Sequence, residues 1–258
     1  MSPAARKRLL AFAASAAGLA AVILVLYALA GGASPARARR VLTFALMMEG
    51  LAVALAPLFS AERCLRADYW RGVLATAAPV GWVLAVPLVG ELILSLSADR
   101  GLLPALLLAK LVVAAAGLAF AGLVLVLVRL SRRPLFAAAA AGALALAFTL
   151  QPFYTQPAMS ALSGEGRAVP RDFLVAAGVR SPLLAPAYVV ARLAPVNGWQ
   201  FLPHMAMYNR WVGNDYQVPK IGPGRYRLEY LAAAALLAAL AAARRSPAAS
   251  SGPKAPPC

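Results

Sequence analysis

Three charged side chains stand inside otherwise apolar stretches of this sequence. Glu49 lies in the run from Val41 to about Ser60, and Glu91 and Lys110 lie in the next two runs. A charge at the centre of a bilayer costs about 2.5–3.5 kcal/mol on insertion scales, so such residues usually pair or face a polar cavity. Helical rise places Glu91 and Lys110 at similar depth on antiparallel helices, which predicts an ion pair. The alternative is two independent side chains, with Lys110 reaching outward to the headgroups.

Glu49 has two interpretations of its own. A buried acid in a membrane helix lines a polar pathway or makes a hydrogen-bonded contact between helices. The sequence slightly favours the helix contact.

Signatures of catalysis are nearly absent. The single histidine, His204, cannot build a site that needs several histidines, and no serine lies in a GxSxG pattern. The two cysteines have no metal-binding spacing. No GxxxxGK[ST] motif is present, so the chain does not bind ATP through a P-loop of its own. We therefore predict no catalytic residue, no metal, no cofactor and no enzymatic activity.

The densest group of charges joins two apolar runs, at an elbow formed by residues Ser60–Gly72. We interpret the elbow as a short amphipathic helix at the inner membrane surface, on which a motor subunit could push. The plainer alternative is an ordinary basic cytoplasmic loop. The residues predicted to couple to an ATP-hydrolysing partner are Glu62, Arg63, Arg66, Trp70 and Arg71.

The amino-acid composition indicates that the apolar runs face lipid rather than water. Of 258 residues, 62% are hydrophobic and only 13% are charged, about half the charged share of soluble domains. So few charges cannot cover a water-soluble surface of this size. The net charge of +16 therefore indicates Lys and Arg beside anionic lipid headgroups rather than a nucleic-acid partner.

The apolar runs predict an all-α, polytopic integral membrane protein with about six transmembrane helices. Five of them occupy residues 1–150 and the sixth occupies 228–245, followed by a disordered cytoplasmic tail over 246–258. The third run is broken by Pro79 and Pro87. The first run, from about Leu9 to Ala30, is interpreted as a retained anchor, since it is longer than the core of a cleaved signal peptide.

Residues 151–227 form a long segment before the last predicted span. Pro170–Gly178 reads as a short helix, and Pro182–Pro195 is apolar but too short to cross, which predicts a re-entrant or interfacial piece. Aromatic residues beside a membrane are typical of the headgroup belt. The residues predicted to lie there are Trp199, Tyr208, Trp211 and Tyr216.

Orientation follows from basic residues in short loops. Their distribution favours cytoplasmic termini and an extracytoplasmic 151–227 segment, although the cluster Arg37–Arg40 opposes this assignment. We therefore expect a multi-pass protein of a bacterial cytoplasmic (inner) membrane.

The layout resembles the ABC-2 type permeases, the six-span membrane subunits of ATP-driven exporters. Glu62-Arg63 is similar to the Glu-Arg of that family's coupling segment, and Arg71–Val80 is similar to the stretch that follows it. The chain departs in having Glu91 after Gly90, where members often have Gly-Lys, and in the spacing from Glu62 to Gly72. The resemblance implies a separate P-loop ATPase subunit docked on the elbow, and a dimer with itself or a similar permease chain.

Two other function classes stay open at this point. One is a non-transporting membrane scaffold that joins a larger complex through the 151–227 segment. The other is an ion-coupled secondary transporter that uses Glu49, Glu91 and Lys110, although the sequence has no inverted repeat. The substrate and the direction of transport do not follow from the sequence.

Overall fold

One helix forms the centre of this structure, a computed structural model that describes residues 35–98, 101–163, 180–193 and 223–243. It spans Leu102–Ser131 and packs against every other described helix. Of its most apolar window, 72% is buried, against 22% and 28% for the helices that precede and follow it. The central helix is therefore shielded by protein, while its two neighbours along the chain present apolar surface outward.

Every described element is helical. The helices are α1 (Pro35–Leu55), a 3₁₀ helix (Ala56–Ser60), α2 (Ala61–Arg66), α3 (Tyr69–Ala98), the central helix α4 (Leu102–Ser131), α5 (Pro134–Ser163), α6 (Ala185–Leu193) and α7 (Pro223–Ala243).

The long helices alternate in direction between two ends of the bundle. At one end, the beginnings of α1 and α4 share an apolar cluster with α6 and Tyr230 of α7. At the other end, α2 packs against the last turns of α4, the first turns of α5 and Ala241 of α7. We call these the α6 end and the elbow end. Since Ala241 lies at the elbow end, α7 runs toward the elbow, as the predicted topology requires of the last span.

Four described segments are long and apolar enough to cross a membrane: Val41–Arg66, Tyr69–Ser97, Leu102–Ser131 and Pro134–Gln151. They correspond to the second to fifth predicted spans and are compatible with a multi-pass membrane protein. The first predicted span lies outside the described residues. The sixth predicted span falls in α7, which is helical but is not among these four segments.

α3 differs from the prediction, because it continues through both prolines that were expected to break the third run. Proline removes one backbone N–H and frees the carbonyl four residues earlier. Membrane helices tolerate this loss when neighbouring side chains satisfy the backbone polar groups. The Leu84 carbonyl, one residue after the Val83 carbonyl that Pro87 frees, accepts a hydrogen bond from Lys110 of α4 at 3.3 Å.

Two further boundaries differ from the predicted ones. α5 continues to Ser163, well past Leu150, and α7 begins at Pro223 rather than near residue 228. Helix propensity and a first-turn proline extend a helix beyond its apolar portion, so apolar runs underestimate helix length. The predicted helix at 170–178 and the tail at 246–258 lie outside the described residues.

Candidate functional site

Glu49, Glu91 and Lys110 meet at one point inside the bundle, and we call them the triad. Lys110 Nζ lies 2.6 Å from both carboxylate oxygens of Glu49 and 2.5 Å from Oε2 of Glu91. The Glu91 residue is 0% exposed, Glu49 6% and Lys110 9%. The pair of Glu91 and Lys110 expected from the sequence is thus present, and Glu49 joins it through a hydrogen-bonded helix contact.

The triad ties three helices together, because its members lie on α1, α3 and α4. At 1.5 Å per residue, Lys110 lies about 12 Å from the start of α4 and Glu91 about 10 Å from the end of α3. Glu49 lies about 12 Å into the apolar run that begins at Val41, so it is at the same level. The same arithmetic gives Glu49 the depth of the other two residues, but depth alone does not show that α1 adjoins α3 and α4 at this level.

The triad contains two carboxyl groups and one ammonium group. A buried charge that loses its partner is strongly destabilising, by roughly 3–5 kcal/mol in soluble proteins. Lys110 also contacts the Leu84 carbonyl, so among the described residues its three N–H donors face two carboxyl groups and one carbonyl oxygen. The ammonium group of Lys110 therefore has protein oxygens as hydrogen-bond acceptors. The two carboxyl groups of the triad share this one ammonium group.

A buried turn lies beside the triad. All ten side chains from Ser181 to Val190 are buried, and the turn leads into α6, which packs on α1 and α4. An ideal Cβ built on Gly50 would lie 1.9 Å from the Pro182 carbonyl oxygen, so this contact requires glycine. The re-entrant or interfacial placement of this segment in the membrane stays a prediction.

Hydrogen bonds to α5 and α7 also hold this buried turn in place. Ser181 Oγ donates a hydrogen bond to the Thr149 carbonyl of α5 at 2.5 Å, and the Tyr230 hydroxyl donates to the Arg180 carbonyl. Arg180 Nε also donates to Glu229 at 3.0 Å. The turn is thus fixed to α5 and α7 as well as to α1, which makes the α6 end a closely connected part of the bundle.

At the elbow, α2 ends and α3 begins within three residues. α2 ends at Arg66, and Asp68 then caps α3, since its Oδ1 accepts the Arg71 N–H at 2.9 Å. The predicted short helix is therefore present as Ala61–Arg66. Trp70 and Arg71, which the sequence assigned to the same elbow, lie in the first turn of α3.

One side of the elbow is packed into the bundle. Ala61 and Cys64 are buried in one apolar cluster with residues of α4, α5 and α7. The Tyr69 hydroxyl donates to the Ala238 carbonyl of α7 at 3.0 Å, and the Arg129 guanidinium lies 5.6 Å from the centre of the Tyr69 ring. Displacement of the elbow would therefore act on three helices at once.

The other side of the elbow is open. The charged side chains of Glu62, Arg66, Asp68 and Arg71 are 65% to 81% exposed, and Trp70 is 68% exposed. Their ion pairs, Arg66–Glu62 at 3.2 Å and Arg71–Asp68 at 3.7 Å, belong to a class worth about 0–1 kcal/mol each. These charges contribute little to the fold and stay available to another molecule.

The sequence-predicted residues thus form two separate groups. Glu49, Glu91 and Lys110 meet near the α6 end, and the elbow residues Glu62, Arg63, Arg66, Trp70 and Arg71 lie at the other end, with all five exposed. Along α3, Glu91 is about 33 Å from Tyr69. The predicted interfacial aromatics Trp199, Tyr208, Trp211 and Tyr216 lie outside the described residues, as does His204. No group of potential metal ligands occurs within the described ranges.

Comparison with known proteins identifies no relative. No protein-family model matches this sequence, and no curated protein or solved structure matches it.

Proposed function

We propose that this chain is the membrane-spanning permease subunit of an ATP-driven exporter, and that a separate P-loop ATPase docks on the elbow. The observation that carries the proposal is the two-sided elbow. Its exposed side offers charge and a tryptophan, while its buried side contacts α4, α5 and α7. A partner that moves this element transmits motion to the whole elbow end of the bundle.

The proposal includes six spans, with the first over residues 9–30 and α7 as the last, in a bacterial cytoplasmic membrane with both termini inside. In this arrangement the elbow faces the cytoplasm, where ATP is available. The chain forms a dimer with itself or with a similar permease chain, and the translocation route lies between the subunits. ATP hydrolysis occurs entirely on the partner.

Purification of the full-length chain from its native membranes in mild detergent tests the proposal. We expect a P-loop ATPase to co-purify, with ATP hydrolysis in the same fraction. The charge-reversal variant Arg66→Glu/Arg71→Glu is expected to lose both, because it inverts the exposed charge of the elbow without touching its buried side.

The matched control is Arg225→Glu, an exposed arginine of α7 on the far side of the molecule from the elbow. This variant is expected to retain the ATPase. A purified wild-type assembly without a nucleotide-hydrolysing subunit would contradict the proposal, as would an elbow variant that keeps the ATPase bound.

The triad favours a second candidate, an ion-coupled transporter. Ionisable groups buried within membrane helices often mark ion or proton pathways, and here three of them meet. Uptake by the purified chain in liposomes, driven by a proton or sodium gradient without ATP, would support this candidate over the first.

A further inference from the structure

The Arg129 guanidinium lies at the elbow end of the bundle, and no described acidic side chain pairs with it. Arg129 belongs to the last turn of α4 and is partly buried. Its Nε is buried and has no hydrogen-bond acceptor among the described residues, and Arg129 forms none of their ion pairs. Burial of part of an ionised group without a partner is unfavourable. The position of Arg129 therefore favours an anionic acceptor.

Acidic side chains are scarce at this end of the chain. Of the described residues there, six are arginines and two are acidic, and both acids, Glu62 and Asp68, already form ion pairs with elbow arginines. The sequences before α1 and after α7, residues 1–34 and 244–258, contain no Asp or Glu. The elbow end therefore has an excess of positive charge. The six arginines are Arg63, Arg66, Arg71, Arg129, Arg132 and Arg133.

The Arg129 guanidinium lies between the end of α4 and the first turn of α3. Its central carbon is 5.6 Å from the centre of the Tyr69 ring. An ideal Cβ built on Gly72 would lie 3.7 Å from Nη2 of Arg129. An aromatic ring attracts a guanidinium and helps to orient it. A planar guanidinium that is oriented in this way can bind a phosphate group through two N–H donors.

Apolar side chains are exposed close to these arginines in the sequence. Leu130 precedes the link between α4 and α5, and Leu135 and Phe136 follow it. All three side chains are exposed, and Arg132 and Arg133 form the link between them. The surface thus changes from basic to apolar within a few residues. A ligand that fits both parts carries an anionic group and hydrocarbon chains.

We propose that the elbow end binds an anionic phospholipid, whose phosphate contacts the Arg129 guanidinium. Arg133 adds positive charge near the headgroup, and the acyl chains lie along Leu135 and Phe136. A soluble phosphate compound would leave these apolar side chains uncovered, whereas a membrane lipid covers them. The site does not use the two arginines that are changed in the elbow experiment, so the inference does not depend on the ATPase partner.

Native mass spectrometry of the delipidated full-length chain tests the inference, by titration with phosphatidylglycerol or with phosphatidylcholine of the same chain length. Phosphatidylglycerol is expected to bind at least about tenfold more tightly, because only this lipid has a net negative charge to balance the arginines. Equal affinity for the two lipids would overturn the inference. Displacement of bound phosphatidylglycerol by soluble glycerophosphoglycerol would also overturn it, since the ligand would then be a free phosphodiester.

Arg129→Lys distinguishes a specific phosphate contact from general attraction between charges. Lysine keeps the positive charge but lacks the planar pair of donors. The affinity for phosphatidylglycerol is expected to fall about tenfold, and an unchanged affinity would contradict the site. Arg225→Lys makes the same change in an exposed arginine at the α6 end. This matched control is expected to stay within about twofold of wild type, because salt screens distant charges.

Arg133→Gln gives a second measurement if Arg129→Lys fails to fold. Arg133 is exposed, and its removal is expected to weaken the binding of phosphatidylglycerol about fivefold, as for one basic residue beside an anionic lipid surface. Wild-type affinity in this variant would overturn the inference. None of these titrations needs an ATPase, so their results are separate from those of the elbow experiment.

Discussion

At the scale of single residues, the arrangement of charges in the triad matters more than the identity of each position. Glu91→Lys places two ammonium groups against one carboxyl group, and Lys110→Glu places three carboxyl groups together. Each single reversal leaves buried charge without a partner, which costs roughly 3–5 kcal/mol in comparable buried pairs. The double variant restores two acids and one base at the same level of the bundle.

We therefore expect the double variant to recover at least half of the thermal stability that either single variant loses. Thermal unfolding in detergent, followed by size-exclusion profile, measures this recovery. A double variant as unstable as the worse of the two single variants would show that the contact depends on side-chain shape rather than on charge.

A second prediction at this scale concerns Tyr230. Tyr230→Phe removes the donor to the Arg180 carbonyl, and loss of a buried hydrogen bond costs about 1–3 kcal/mol. Tyr154→Phe is the matched control, since its hydroxyl also donates to a carbonyl but the residue is 48% exposed. We expect a larger drop in the free energy of unfolding for Tyr230→Phe, and equal losses would contradict a structural role for this contact.

Sequence reasoning located the triad residues but joined only two of them. Charge inside an apolar run and helical rise were enough to predict the contact of Glu91 with Lys110. The contact of Glu49 depends on which helices are neighbours, and the sequence does not state that order. Contact between the turn at Pro182 and Gly50 was not foreseeable either, because it joins segments more than a hundred residues apart.

At the scale of elements, the close approach of α1 to the buried turn gives a direct test. A Cβ on Gly50 would meet the Pro182 carbonyl at 1.9 Å, whereas a Cβ on Gly81 of α3 would meet nothing within 4 Å. We expect Gly50→Ala to destabilise the protein by about 1–3 kcal/mol through overpacking. Gly81→Ala is expected to be neutral or to stabilise by up to about 1 kcal/mol, because alanine is the better helix former.

Unfolding of both variants under the same detergent conditions provides the comparison. A tolerated Gly50→Ala would mean that the turn does not pack against α1. Equal destabilisation by both substitutions would instead indicate that these helices do not tolerate alanine in place of glycine, whatever the local packing.

Elements were predictable to the extent that they were continuous and apolar. The four long segments and the short helix of the elbow followed from hydrophobic runs and from charge. The passage of α3 through Pro79 and Pro87 did not, because a proline breaks a helix in water and is accommodated when neighbouring helices satisfy the freed carbonyls.

At the scale of the whole molecule, the bundle has two ends with different character. The α6 end is fixed by the triad and by the contacts of the buried turn. At the elbow end, charged side chains extend outward from a packed base. The helices α3 and α4 are each about 45 Å long, which exceeds the roughly 30 Å hydrocarbon thickness of a bilayer. Each of these helices is therefore long enough to cross the hydrocarbon layer.

The proposed function depends on these two ends lying on opposite sides of the membrane, with the elbow inside. Single cysteines report this directly when they are introduced into a chain that carries Cys64→Ala and Cys258→Ser. Arg66→Cys marks the elbow, and Gly101→Cys marks the exposed turn before α4.

The deciding measurement is the reaction of each cysteine with a membrane-impermeant thiol reagent, in intact cells and in inside-out vesicles. We predict that Arg66→Cys reacts only in the inside-out vesicles and Gly101→Cys only in intact cells. Reaction of Arg66→Cys in intact cells would place the elbow outside and contradict docking of a cytoplasmic ATPase. Reaction of both cysteines from the same side would contradict the crossing of the membrane by α3.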